Sequence, residues 1–210
     1  MADDKEDTFL PRAYGFKKLT ETTAFYDEWA KTYEAELAKA GYVTPRRCAE
    51  ALAQLDPSRS GPVADLGCGT GLAGLALRAV GFEPVDGLDF SAGMLDQARA
   101  HGCYRHLVQG DMSEPLALPE PHYAHAVASG VLVPGHAPAI AIRHSFATVK
   151  PGGFFVWTLN DKAAADPSYR VTSDALVDEG LAEQVFEEHG DHVPGIGLKA
   201  SVIALRKLTA

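Results

Sequence analysis

Cysteine is scarce in this chain, and its positions do not pair. Cys48, Cys68 and Cys103 are the only three, an odd number with no CxxC spacing. That excludes a disulfide framework and a zinc knuckle and fits a reducing compartment. Long apolar runs are missing as well: none approaches the ~20 residues of a membrane-spanning helix. The acidic, polar start from Met1 to Asp7 has none of the features of a secretory signal. Basic residues are in deficit, 19 Lys and Arg against 28 Asp and Glu, for a net charge of −9. That argues against nucleic acid or an anionic membrane as partner, since both are bound mainly through cations. A soluble, cytoplasmic protein is expected. Histidine is not scarce, but His101 with His106, and His122 with His125, lack the spacing and carboxylate company of a zinc site. They read as surface residues, and no metal is expected.

At 210 residues the chain suits one domain with a sizeable core. Residues 1–19 mix charge with Pro11 and Gly15 and read as a flexible arm before a single domain over 20–210. Thr20 to Lys39 carries Phe25, Trp29 and Tyr33 at every fourth position, one face of a helix. Thr44 as cap, followed by Pro45, opens a second helix that stops before Asp56-Pro57. From Pro62 onward, strands over 62–66, 83–89, 104–108, 125–129 and 154–159 alternate with helices over 72–80, 91–100, 138–149 and 168–177. This rhythm predicts βαβ units and a mostly parallel sheet. Two more strands, 181–190 and 199–208, joined through Pro194, Gly195 and Gly197, predict an antiparallel hairpin. The stretch from Asp178 to Asp191, acidic and without Lys or Arg, reads as a solvated face or a protected sheet edge.

The most informative segment is Asp65-Leu66-Gly67-Cys68-Gly69-Thr70-Gly71. Three glycines at alternate positions follow a strand and precede a helix, where a ligand can approach the backbone and meet free N–H groups. A nucleoside triphosphate would require GxxxxGK[ST], and no Lys follows. Gly69-x-Gly71-x-x-Gly74 fits the GxGxxG of dinucleotide sites, and Asp89, twenty residues beyond Gly69, suits a ribose-binding acid in either case. Asp65 discriminates. A carboxylate two residues before the first glycine would repel a pyrophosphate and suits a ligand with a cationic amine.

Asp65 to Gly71 resembles the E/DxGxGxG motif of class I S-adenosylmethionine-dependent methyltransferases. Val85 to Leu95 resembles that family's second motif, Gly110-Asp111-Met112 its third, and Lys150-Pro151-Gly152-Gly153 the turn before its fifth strand. Tyr26 to Tyr33 resembles the N-terminal YDxWAxxY element of small-molecule members. Within the superfamily the nearest resemblance is to the Williams–Beuren-region methyltransferase-like proteins. Ala124 departs from the pattern, where many members carry Asp.

The resemblance implies a Rossmann-like, doubly wound, mostly parallel seven-stranded sheet with an antiparallel C-terminal hairpin and helices on both faces. It implies S-adenosylmethionine as cofactor, S-adenosylhomocysteine as product and a small-molecule methyl acceptor, in a monomer or homodimer. Gly67, Cys68, Gly69 and Gly71 would then carry the backbone past methionine and ribose, with Asp65 near the methionine amine. Asp89 would accept from both ribose hydroxyls, Phe90 and Met94 would pack on adenine, and Asp111 and Met112 would meet its amine edge. Ser129 and Gly130 would border the site, and Trp29 and Tyr33 would reach it from N-terminal helices over 20–56 that form part of a substrate lid. Acceptor specificity is expected from residues 9–40, the loop 130–137 and the region 161–175. Tyr33 and His136, on the loop after the fourth strand, are the candidate catalytic residues. Two other readings stay open. One is a nicotinamide-dependent oxidoreductase built on Gly69-x-Gly71-x-x-Gly74, for which no YxxxK is present. The other is a cofactor-binding module without catalysis.

Overall fold

The computed structural model describes residue 25, residues 28–119 and residues 122–208. Seven strands form one sheet: β1 Val63–Leu66, β2 Val85–Asp89, β3 His106–Gln109, β4 Tyr123–Ala128, β5 Val149–Asn160, β6 Ala182–Val193 and β7 Leu198–Lys207. Their order is β3-β2-β1-β4-β5-β7-β6. The first five run parallel, and β7 is antiparallel to both β5 and β6. This is the doubly wound sheet with a C-terminal hairpin that the alternation predicted. The helices are α1 Tyr33–Ala40, α2 Thr44–Leu55, α3 Leu72–Ala79, α4 Ala92–Ala100, α5 Ile140–Ala147 and α6 Ser168–Asp178.

Strand side chains alternate between two cores, as the pleat demands. Val63, Val85, Val127, Val156 and Val202 meet Cys48 and Leu52 of α2 and Leu77 of α3 on one face. Ala64, Leu88, Phe155, Trp157 and Ile203 meet Ile142 and Phe146 of α5 and Leu176 of α6 on the other. Cover on both faces explains why β1, β2 and β4 are buried along their whole length. Ser91 caps α4 by accepting the Met94 N–H, as placed from the sequence.

Three local expectations are corrected. Thr44 does not cap α2: Val43 takes that position, and the Thr44 hydroxyl lies 2.6 Å from Nδ1 of buried His192. The helix expected over 20–39 is interrupted, because residues 30–32 form a turn in which the Thr32 N–H donates to the Trp29 carbonyl. The expected arm over 1–19 and the start of that helix lie outside the described residues. His125 is not a surface residue: it is 5% exposed, stacked on Phe154, with Nε2 3.0 Å from Asp56. Ala124, in the position where many family members carry Asp, is tightly confined. A Cβ on Gly61 would come within 2.8 Å of it, and one on Gly153 would strike its carbonyl.

The acidic stretch is a charged sheet edge. β6 is the outer strand, and its Glu183, Glu187 and Glu188 pair with Arg206, Arg170 and Arg47. Charges in that position discourage pairing with a further strand. Among the described residues no helix is long and apolar enough to cross a membrane, and no three His, Cys, Asp or Glu converge to hold a metal.

Candidate active site

From β1 the sheet extends to β2 and β3 on one side and resumes with β4 on the other. The loops leaving β1 and β4 therefore diverge, and the crevice between them is where open α/β sheets bind ligands. The β1–α3 turn enters this crevice with Gly67, Gly69 and Gly71 at φ of 70°, 54° and 106°, values that favour glycine. A Cβ on Gly67 would strike Val131, whereas nothing lies within 4 Å of one on Gly69. The Gly69 side of the turn is open to a ligand.

Asp89, at the end of β2, fastens that turn. Its Oδ2 accepts the Gly69 N–H at 2.8 Å and its Oδ1 the Ser91 N–H at 2.9 Å. A carboxylate has about four lone-pair sites, so these two bonds do not exhaust it.

Two adjoining cavities follow. The first, of about 400 Å³, is lined by Tyr33, Gly67, Gly69, Asp89, Phe90, Met94, Ser129, Gly130, Val131 and His136. The second, of about 240 Å³, shares Gly67, Asp89, Phe90, Val131 and His136 and adds Leu88, Gly110, Asp111, Met112 and Ala137. Most of the expected cofactor residues thus meet here. Gly130 is held by the Thr158 hydroxyl, which accepts its N–H at 2.8 Å. Asp111 accepts the Ser113 N–H at 2.8 Å, which fixes the turn after β3.

Four expected residues do not line either cavity. Trp29 is 1% exposed and packs between Phe25 and Tyr33 in a hydrophobic cluster with Leu37, Val193 and Leu198. Cys68 is buried with its thiol pushed well up, first by burial and then by the Asp89 and Asp65 charges, so it is inert. Gly71 shapes the turn, its N–H donating to the Cys68 carbonyl. Asp65 lies fully buried beneath the turn, where its Oδ2 accepts from the Tyr104 hydroxyl at 2.7 Å. Its Oδ1 is buried, and the Gly74 backbone N–H also acts on the carboxyl. Burial, aided by the Asp89 charge and opposed by Tyr104, raises the Asp65 pKa to about 7.

His136 lines both cavities and a third, of about 690 Å³, which it shares with Asp111. Ser113, Pro134, Gly135, Pro138, Ala139, Asp166, Ser168 and Tyr169 complete the third wall. The Tyr169 hydroxyl donates to the Ala137 carbonyl at 2.9 Å and ties α6 to the loop that carries His136. Burial lowers the His136 pKa to about 4, so its imidazole is neutral at physiological pH. Tyr33 reaches the 400 Å³ cavity from α1. That helix is tied to the end of α4 by Glu34, whose Oε1 lies 2.7 Å from His101 Nε2.

Neither of the first two cavities has a Lys or Arg among its lining residues, which suits a cationic ligand rather than a pyrophosphate. A family model described as a methyltransferase domain matches residues 63–153. The human methyltransferase-like protein 27 is 36% identical over 169 residues, 79% of this chain and 68% of that protein. The chain belongs to the class I S-adenosylmethionine-dependent methyltransferase family. S-adenosylmethionine is the cofactor of this methyltransferase.

Solved structures agree on the fold of the methyltransferase. A TehB-like S-adenosylmethionine-dependent methyltransferase from Corynebacterium glutamicum superposes with a TM-score of 0.63 at 20% identity, over 88% of this chain and 98% of that one. The [4+2]-cyclase SpnF superposes at 0.60 and 17% identity, over 79% and 82%. A cyclase among the neighbours shows that the fold alone does not set the reaction.

The residues present fit the cofactor. The Gly69 cradle is open, and Asp89 and Ser129 stand at the wall of the same cavity. Gly74, which completes the apparent dinucleotide pattern, is accounted for otherwise: a Cβ there would strike the Tyr104 ring. Tyr104 and Val131 were missed from the sequence. The available signal was a glycine inside a helix and another, Gly87, inside a strand, both of which mark close approach by a neighbour.

Proposed function

We propose that this methyltransferase transfers a methyl group by in-line displacement to a small-molecule acceptor, and that residues 20–210 form one domain whose N-terminal helices are part of the substrate lid. The observation that carries this reading is His136, which borders both crevice cavities and the third cavity that adjoins them. That third cavity is lined by the turn after β3, the loop after β4 and the segment after β5, the last two being among the three regions from which acceptor specificity was expected.

Asp89 would hold the ribose hydroxyls, Asp111 and Met112 the adenine edge, and Gly67, Gly69, Ser129 and Gly130 the methionine end. Bound there, S-adenosylmethionine supplies a methyl carbon on a sulfonium leaving group, which an acceptor lone pair displaces as the thioether departs. The protein aligns, excludes water and handles the acceptor proton. His136, kept neutral by burial, has a lone pair to take that proton. Tyr33 closes the cavity from α1.

Release of S-adenosylhomocysteine on addition of amines, phenols, thiols or hydroxy acids tests the proposal. Release with a small acceptor, lost in His136→Ala, supports it. A protein that binds the cofactor yet turns over none of these acceptors is a binding module instead.

A further inference from the structure

We propose that Tyr104 is a positioning residue of the cofactor site: its ring fills the space that three glycines leave open, and its hydroxyl holds Asp65 beneath the cofactor turn. The inference rests on the crevice being where the cofactor sits, as proposed above.

Three observations converge on Tyr104. Its hydroxyl donates to Asp65 Oδ2 at 2.7 Å. A Cβ on Gly71 would lie 3.2 Å from its ring, one on Gly87 3.0 Å, and one on Gly74 would strike it. Gly74 sits inside α3 and Gly87 inside β2, where glycine is otherwise unfavourable. The helix glycine admits this ring, and the strand glycine makes room for it together with Leu107 and Cys68. The third observation is the Asp65 carboxyl itself, which is fully buried and which only the Tyr104 hydroxyl and the Gly74 backbone N–H help to hold ionised. A carboxylate buried in that way is costly unless donors satisfy it.

The functional consequence is electrostatic. Asp65 stands two residues before Gly67, which lines both cofactor cavities. Its charge is felt by a cationic ammonium held above the turn. The groups acting on Asp65 or on its partner Tyr104 are each other, the Gly74 backbone N–H, Asp89, Cys68 and Cys103, with Cys48 also in range. None of them is a Lys or Arg. The Tyr104 hydroxyl is therefore the main group favouring the ionised carboxylate, against burial and Asp89. Binding of a cationic amine releases the Asp65 proton, so affinity rises with pH through its titration.

The test is calorimetric titration of S-adenosylhomocysteine into the whole protein, the Tyr104→Phe and Asp65→Asn variants, and the double variant, between about pH 6 and about pH 8.5. Phenylalanine keeps the ring and removes the donor. The expected result is binding weakened several-fold near neutrality by Tyr104→Phe, with the gap closing at the alkaline end. Asp65→Asn should flatten the pH profile, and adding Tyr104→Phe to it should change nothing further. A ring-fluorinated tyrosine at position 104, a stronger donor of the same shape, should move the profile the other way and serves if Phe impairs folding. Equal affinity for wild type and Tyr104→Phe at every pH, or an equal loss with and without Asp65, overturns the proposal. Wild type that fails to bind the product at any pH contradicts the site assignment instead.

Discussion

Replacing Asp65 by Asn should stabilise the cofactor-free protein, and the gain should grow with pH. Asp65 is fully buried, and its pKa rises from an ordinary 3.8 to about 7, chiefly through burial and then through the Asp89 charge. The sign follows from linkage. Between the two values the folded state keeps a proton that the unfolded chain has lost, so stability is fully present below about pH 4 and is lost as pH rises towards 7. At about 1.4 kcal/mol per pKa unit, the whole loss is about 4 kcal/mol. Asn keeps an acceptor for the Tyr104 hydroxyl and carries no charge to desolvate. Urea unfolding of both proteins at about pH 5 and about pH 8 should show the advantage of Asn growing by about 2.5 kcal/mol. Titrations of groups that do not interact with Asp65, common to both proteins, cancel in this comparison. An advantage that does not change with pH, or one that shrinks, would refute the reasoning. A gain in stability at a residue that favours a cationic ligand is the trade expected of a binding site.

Further outcomes follow from the same geometry. Gly74→Ala should destabilise by about 1–3 kcal/mol through collision with the Tyr104 ring, despite better helix propensity. In a Tyr104→Ala background the same change should cost nothing, as thermal or urea unfolding would show. His136→Ala should lower kcat about 10²-fold with little change in KM for S-adenosylmethionine; a loss confined to KM would remove His136 from proton transfer. His192 is buried beside Thr44, with its pKa lowered from 6.5 to about 4 by burial and then by Arg47. Its contribution to stability is complete above about pH 6.5 and falls away towards pH 4, by about 3 kcal/mol. His192→Gln should flatten that part of the acid unfolding profile.

The sheet was legible because its signals are local and repeated. Alternating short apolar runs and helical stretches placed every strand and nearly every helix, and the Asp65–Gly71 segment marked the crevice. The cavity walls were legible where a residue stands at a strand end, as Asp89, Asp111 and Ser129 do. What escaped depends on contacts between distant segments. Trp29 shares its helical spacing with Tyr33, yet the turn at residues 30–32 leaves Trp29 in the core while Tyr33 faces the cavity. The sequence places Asp65 next to the glycines, but not that Tyr104, 39 residues on, folds over Gly74 and Gly87 to hold it. The burial of His125 and His192 likewise depends on partners brought in by Asp56 and Thr44.

A crystal structure of the protein grown with S-adenosylhomocysteine tests the assignment of the crevice most directly. The ribose hydroxyls should lie on Asp89, the adenine beside Asp111 and Met112, and the sulfur within the cavity bordered by Tyr33 and His136. Ligand density elsewhere on the molecule, with these residues unengaged, would contradict the account.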